Sequence, residues 1–433
     1  MLANRERLDA FLEQYELSAL VSSSHVNTAY LTNFLAQHYI KDRMYNVFPG
    51  SGENYVQTFG LYSKNERKRV LIIPLSRYLN ARMDFGVAEE IYTYGKPMSV
   101  RDPNPRFDSP EEEEFEAIMS NPAGGSKGVK NFDSAGEALL TAISEFASSD
   151  TIGLDTGDLD PRILAAIKRA KPELAIKESM ELFRFIRMVK SEEEIKRLKT
   201  AAEVNERVLE KLVSSIREGV TEMDLARTFR QFLASEPYDI RDGGLMVPFG
   251  TRGGSMLPAG KVALRRGMMF WMDFGFSLDG YYSDLGESGA LGTPSEKQKK
   301  FYEVLTKVVE KCEEKVIPGM RPSELNQLAA RVWEENGVPK SVTGMGHGIG
   351  LEVHEYPRIS AAKGDAIKNT RAIKDDVIES SIDIPFEEGM VLAIESPYMV
   401  WGWGGVHMER TIIVGKNRSE QITKQDRFLR VLN

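Results

Sequence analysis

Five side chains able to bind metal stand in order through the second half of this 433-residue chain: Asp273, Asp284, His347, Glu395 and Glu409. Brought together, they make a pocket of four carboxylates and one imidazole. Four carboxylates cannot share a small cavity without positive charge, because each loses hydration and repels the others. Two divalent cations would balance them, four negative charges against four positive. Two-metal sites with bridging carboxylates make a hydroxide at neutral pH and clamp a tetrahedral intermediate. The residue types therefore point to a dinuclear metallohydrolase. Asp, Glu and His donors admit manganese, cobalt, zinc or iron, with manganese placed first.

These residues need elements that aim them inward. Asp273 and Asp284 flank FWMDFGFSLDGYYSDLGE, in which Asp279-Gly280 is a two-residue turn signal between strand-like runs. A tight turn pairs Leu278 with Tyr281 and Asp273 with Gly286. Asp284 then lies two residues along from the partner of Asp273, on the same face. Two unrelated loop aspartates are the competing reading of this pair. Glu395 and Glu409 repeat the pattern: VLAIESPYMV and VHMERTIIV are strand-like, with the GWGG stretch between them. A separation of 14 across a centred turn puts both acids on one face. His347 sits in TGMGHGIGLEVHEYP, where glycines 344, 346, 348 and 350 allow backbone and imidazole to approach a metal closely. His354, seven residues on, is a candidate donor to a tetrahedral oxyanion.

A chain of this length is too long for one ordinary core, so two domains are expected. Hydrophobic content of 42% and charged content of 28% are those of a soluble globular protein. A net charge of −8, with no basic cluster among aromatics, argues against a nucleic-acid partner. The single Cys312 excludes an internal disulfide framework and falls in a helical run, 298–316, as an inert thiol. The amino-terminal run is amphipathic and charged rather than a secretory signal, and no stretch of 18 apolar residues appears. A cytoplasmic protein without membrane contact is expected.

The first part alternates helix (2–15), strand (18–22), strand (70–74), helix (132–146), strand (151–154) and helix (160–169). This predicts an α/β domain over 1–170, a linker over 171–190 and a second domain over 191–433. The polar stretch 101–128, with its acid run at 111–114, reads as a surface loop with a short solvated helix. Ser191 and Glu194 form a capping box at the head of a long charged helix. Within the second domain, GVTEMDLA at 219–226 and GMRPSELN at 319–326 echo each other, with Thr221 and Ser323 placed to cap the helices that follow. Two such units 100 residues apart suggest a duplicated α/β half, with a site between the halves.

The series DFG…SD, GHGIGLEVHEYP, IESPY and HMERT resembles the pita-bread metallopeptidases, which include methionine aminopeptidase, prolidase and aminopeptidase P. SSHVNTAYLTNF and FIRMVKSEEEIKRLKTAA extend the resemblance through the amino-terminal half and bring it closest to the prolidase–creatinase branch. It implies an α/β (α+β) protein: a creatinase-like amino-terminal domain, then a pita-bread catalytic domain with pseudo-twofold duplicated halves. It implies that Asp284 and Glu409 bridge both metals, that Asp273 completes one, and that His347 and Glu395 complete the other. Glu395 would take the proton of the bridging water that attacks the substrate carbonyl, and His354 would stabilise the oxyanion. All five ligands are retained, unlike in creatinase, which shares the fold without the metal site.

The wall of the pocket departs from that pattern. No histidine stands near Met256, Thr343 replaces another histidine, and His407 replaces an arginine. Arg410 follows the last glutamate in place of an acid, and Ser396 replaces a proline. These substrate-facing positions, His407, Thr343 and Met256, set discrimination. The function expected is a dinuclear metal-dependent hydrolase of a dipeptide or small amide, Xaa-Pro dipeptidase- or aminopeptidase-like, using a metal-bridging hydroxide and working as a homodimer. The alternatives are a C–N hydrolase or lyase of a non-peptide metabolite, and a binding module on a retired peptidase fold.

Overall fold

The computed structural model describes residues 2–35, 56–83, 86–96, 102–120, 129–341, 343–360, 383–424 and 428–433. It divides into two compact units, Met1–Ile186 and Arg187–Asn433.

The first unit runs α1 (Arg5–Gln14), β1 (Ala19–Ser22), α2 (His25–Thr32), β2 (Phe59–Ser63), β3 (Lys68–Pro74), α3 (Tyr78–Met83) and β4 (Glu90–Tyr94). It continues with α4 (Pro110–Ser120), β5 (Val129–Phe132), α5 (Ala135–Phe146), β6 (Thr151–Leu154), α6 (Pro161–Ala170), β7 (Ala175–Glu178) and α7 (Met180–Met188). Seven strands form one sheet in the order β5-β4-β3-β2-β1-β6-β7. The VLII run of β3 is buried on both faces, as a central strand requires. Val70 and Ile72 pack with Leu139 and Ala142 of α5, while Leu71 and Ile73 pack with Tyr78 and Ala81 of α3 on the other face. In the segment 23–34, Ser24 and Asn27 both donate to the buried carboxylate of Asp155. Residues 171–190, read above as a linker, instead carry β7, which pairs with β6, and α7. In the acidic stretch, Glu111, Glu112 and Glu113 occupy the first turn of α4, where the helix dipole favours negative charge. That helix is not purely solvated, because Phe115 stacks on Tyr78 at 6.1 Å. Positions 101 and 121–128 lie outside the described residues.

The second unit holds α8 (Glu192–Ser214), α9 (Glu222–Ser235), β8 (Ile240–Met246), β9 (Met269–Leu278), β10 (Tyr281–Leu291), α10 (Glu296–Lys315) and α11 (Pro322–Glu335). Then come β11 (Gly346–Gly348), β12 (Glu355–Ile359), β13 (Val391–Glu395), β14 (Tyr398–Val400), β15 (Gly404–Val406), β16 (Glu409–Ile413), β17 (Glu420–Gln421) and β18 (Arg430–Leu432). The main sheet runs β12-β11-β13-β16-β10-β9-β8, with β17 on β16 and β18 on β10. The helix α8 starts at its Ser191–Glu194 capping box, and Val204, Val208 and Leu212 recur on its buried face. They join Leu225 and Phe229 of α9 over the even-numbered residues Phe270, Met272, Phe274 and Phe276 of β9. The two echoed segments match at their glycines but not at their caps. Gly219 and Gly319 both take positive φ, +84° and +90°, ahead of α9 and α11. Thr221 caps α9 as expected. Ser323 does not cap α11: Pro322 opens that helix, Arg321 is the cap, and Ser323 donates to Asp383 instead. Cys312 is buried in α10, and burial pushes its thiol up to about 12.

A buried ionic cluster closes β12 onto the chain entering α8. Glu355 accepts from Lys190 Nζ at 2.8 Å and from Arg187, and all three side chains are almost fully buried. Burial alone would raise the Glu355 carboxyl, but the charges of Arg187 and Lys190 outweigh it and hold it at about 2. Its contribution to stability is present above the ordinary value of 4.5 and is lost as pH falls toward about 2. Lys190→Met, which breaks a buried pair, is expected to lower stability by about 3 kcal/mol in urea unfolding at neutral pH. An unchanged midpoint would show that the cluster contributes nothing.

Candidate metal centre

The strand pattern of β9 decides where its carboxylate goes. Even-numbered residues feed the core under α8 and α9, so Asp273 faces the opposite side of the sheet. The turn at Asp279 and Gly280 has positive φ at both positions, 48° and 84°, as a tight two-residue hairpin requires. Its register pairs Leu278 with Tyr281, Asp273 with Gly286, and Asp284 with Gly275, leaving both aspartates on one face. The second pair of acids is set by β13 and β16, where Glu395 stands directly opposite Glu409. The residues between do not prolong that ladder; β14 and β15 form a separate two-stranded sheet.

His347 lies at the centre of β11, between β12 and β13. Gly346 has φ +120°, and a Cβ there would collide with the Ala393 carbonyl oxygen. A Cβ at Gly348 would collide with the Tyr356 carbonyl oxygen. The glycines thus allow β11 to fit closely between its neighbours. His347 Nδ1 contacts the Gly348 carbonyl oxygen at 3.0 Å. A proton on Nδ1 satisfies that contact and leaves the Nε2 lone pair for a metal. Nε2 lies 3.8 Å from Asp284 Oδ2, 3.6 Å from Glu395 Oε1 and 3.9 Å from Glu409 Oε1.

All five residues named from the sequence therefore converge, and His407 joins them. Its Nε2 is 3.8 Å from Asp273 Oδ2, 3.9 Å from Glu395 Oε2 and 3.6 Å from Glu409 Oε2. Among the described residues, two groups of three have the spacing to hold a metal ion: Asp273 with His407 and Glu409, and Asp284 with His347 and Glu409. The electrostatics show how much charge the site needs. Burial pushes every one of the four carboxyls upward: Asp284 and Glu409 well above their ordinary values, Asp273 upward, and Glu395 up to about 7. For Asp284 the neighbouring Glu409, Asp273 and Glu395 add to the effect of burial. Burial, followed by the nearby His354, drives the His347 imidazole down to about 3, so it is neutral and able to ligate.

The cluster opens into a cavity of about 760 Å³, within the usual range for a small-molecule site. Met223, Met256 and Pro258 give it an apolar wall. His354 lines it too, its ring 4.1 Å from that of His347 and nearly perpendicular. Of the three positions assigned to the substrate wall, only Met256 lines the cavity. Thr343 turns to Ser341 Oγ at 2.8 Å and to the Pro397 carbonyl. His407 is buried against the carboxylates. Arg227 and Arg230 of α9 also border the cavity. Nothing in the local sequence marks them, since they lie on the exposed side of an ordinary amphipathic helix.

The profile described as Metallopeptidase family M24 matches residues 196–416, and the Creatinase/Prolidase N-terminal domain matches residues 4–189. The Xaa-Pro dipeptidase of Pyrococcus horikoshii is 30% identical over 270 residues, covering 61% of this chain and 71% of that protein. That of Pyrococcus furiosus is 27% identical over 304 residues, covering 69% and 79%. Among solved structures, the prolidase from Pyrococcus horikoshii OT3 gives a TM-score of 0.69 at 21% identity, over 98% of this chain and 99% of that one. The X-Pro aminopeptidase from Thermotoga maritima gives 0.70 at 20% identity, over 99% of both. At these identities the structural likeness establishes the fold.

The raised carboxyls fix a pH dependence for the metal-free protein. The folded state holds protons that the unfolded chain releases. Stability therefore falls as pH rises from the ordinary values of 3.8 and 4.5 through about 7, the value reached by Glu395. Chelated protein is expected to melt several degrees lower at about pH 8 than at about pH 5, and divalent metal should raise the midpoint more at the higher pH. Equal responses at both pH values would contradict this account.

Proposed function

The chain belongs to metallopeptidase family M24, and from that premise we propose that it is a dinuclear metal-dependent dipeptidase acting on Xaa-Pro-type dipeptides or closely related small amides. The observation that carries this reading is the convergence of four carboxylates, Asp284 and Glu409 buried and Asp273 and Glu395 half-buried, with a neutral imidazole at the end of a cavity of small-molecule size. Asp273, Asp284, His347, Glu395 and Glu409 would hold the pair of cations, manganese first among the ions that such donors admit. When bound, the cations supply a water acidic enough to lose its proton at neutral pH and charge that polarises the substrate carbonyl.

The chain's own residues do the rest. Glu395, at the centre of the cluster, would take the proton of the attacking water and return it to the leaving amine. His354, on the cavity wall beside His347, is placed to donate to the carbonyl oxygen as it gains charge. Met256 and its apolar neighbours exclude water from one side of the substrate. Arg227 and Arg230 border the cavity but already pair with Asp224 and Asp242, at 3.4 and 2.6 Å. A homodimer in the cytoplasm completes the reading, following the family resemblance; the buried, unpaired Cys312 fits a reducing compartment.

A second reading, C–N hydrolysis or a lyase step on a non-peptide metabolite, draws on the substrate wall. Thr343 points away from the cavity and Met256 supplies no hydrogen bond there. Replacing groups that bond a substrate usually changes the substrate.

Chelation is expected to abolish turnover, and manganese, cobalt or zinc to restore it; turnover persisting in demetallated protein would refute the proposal. Glu395→Gln should lower kcat by about 10²- to 10⁴-fold if Glu395 transfers protons in the rate-limiting step. A panel of dipeptides against small amides and amidines separates the two readings. Efficient Xaa-Pro cleavage ends the second, and turnover confined to compounds without a peptide bond ends the first.

A further inference from the structure

We infer that His407 is itself a metal ligand, so that the two cations of this site carry one imidazole each. The inference rests on the dinuclear reading above and adds a sixth donor to it.

The geometry divides the acids between two imidazoles. His347 Nε2 faces Oε1 of Glu395 and Oε1 of Glu409, with Asp284 as the third neighbour. His407 Nε2 faces Oε2 of the same two glutamates, with Asp273 as the third. Each imidazole thus heads a set of three oxygens, and the two glutamates span the sets. Donors bound at about 2.1 Å to one cation lie roughly 3.0 to 3.4 Å apart in octahedral or tetrahedral arrangement. The distances of 3.6 to 3.9 Å around His407 need contraction by less than about 1 Å to reach that range. They match the 3.6 to 3.9 Å around His347, an expected ligand.

A role as a hydrogen-bond donor to the acids does not account for His407. Neither ring nitrogen has a hydrogen-bond partner among the described residues, although the side chain is only 1% exposed. A buried imidazole in that condition is costly unless something else engages it. A cation on Nε2 would do so. The surroundings also hold the ring in place. The backbone N–H of His407 donates to Ser288 Oγ at 2.8 Å, and that hydroxyl donates to the His407 carbonyl oxygen at 2.8 Å. Trp271 meets the ring edge to face at 5.8 Å. Gly286, opposite both Asp273 and Glu409 in the sheet, leaves the space that the ring fills: a Cβ there would collide with Cδ2 and Nε2 of His407.

The test is metal coordination in the full-length protein, chelated and reloaded with Co²⁺. Mass spectrometry counts the bound cobalt, and cobalt K-edge absorption counts imidazoles per metal. Two cobalt ions with an average of one imidazole each are expected in the wild type. His407→Ala should keep one cobalt and weaken the other by about 100-fold or more, beyond the loss that an outer-shell partner brings. His354→Ala should leave the imidazole count unchanged. Two cobalt ions sharing a single imidazole in the wild type would overturn the inference and leave the dinuclear reading standing. So would His407→Ala binding both ions unimpaired, or a count that drops in His354→Ala. A wild-type protein that takes up no cobalt would overturn the dinuclear reading itself, and this inference with it. The wild-type spectrum decides the matter even if a variant does not fold.

Discussion

Four carboxylates pressed into one buried space constrain everything around them. Lost hydration lifts all four above their ordinary pKa values, and repulsion from neighbouring acids adds to it at Asp284, Glu395 and Glu409. No fold would select such a cluster for stability, since the same volume filled with apolar side chains would be more stable. The cluster makes sense only with cations bound, and the rest of the second unit can be understood as the frame that keeps the acids together.

That frame is a sheet with two different faces. One face of β9 supplies phenylalanines and a methionine to the core under α8 and α9, and the other presents Asp273. β10, β16 and β13 then lie side by side, so that their acids share that face. The glycines of the site have particular tasks. Gly346 and Gly348 bring β11 close enough for His347 to reach the acids, and Gly286 vacates the volume taken by His407. A sheet also gives rigidity: donors on paired strands hold their spacing without a metal to gather them, which lowers the reorganisation needed for binding.

The cavity wall and the structural core meet at one dipeptide. His354 faces the cavity, while its neighbour Glu355 points the other way into the cluster with Arg187 and Lys190. Successive residues of an extended chain point to opposite sides, so one stretch of backbone can serve both. The buried ion pairs fix the height of β12, and with it the position of His354. The cavity beyond is mostly apolar, in contrast to the charged cluster at its end.

Much of this was legible in the sequence because it obeys local rules. Asp279-Gly280 fixed the hairpin and its register, so the shared face of Asp273 and Asp284 followed from the period of a strand. Ser191 with Glu194, and Thr221, marked helix starts that the structure reproduces, because capping depends on four consecutive residues. Where a local signal had a competitor, it failed. Proline and Asp383 displaced Ser323 from its cap, and pairing with β6 drew the expected linker into the first sheet. The direct opposition of Glu395 and Glu409 was partly visible in their even spacing, but not the separate β14–β15 sheet between them. His407 shows the limit best. Its type and number are in the sequence, which suggested a place on the substrate wall. Its direction depends on Ser288, Trp271 and Gly286, which lie more than 100 positions away and meet it only when β9, β10 and the approach to β16 pack together. Residue chemistry and short-range periodicity are written in the chain, whereas the direction in which a buried side chain points is set by partners that folding alone brings within reach.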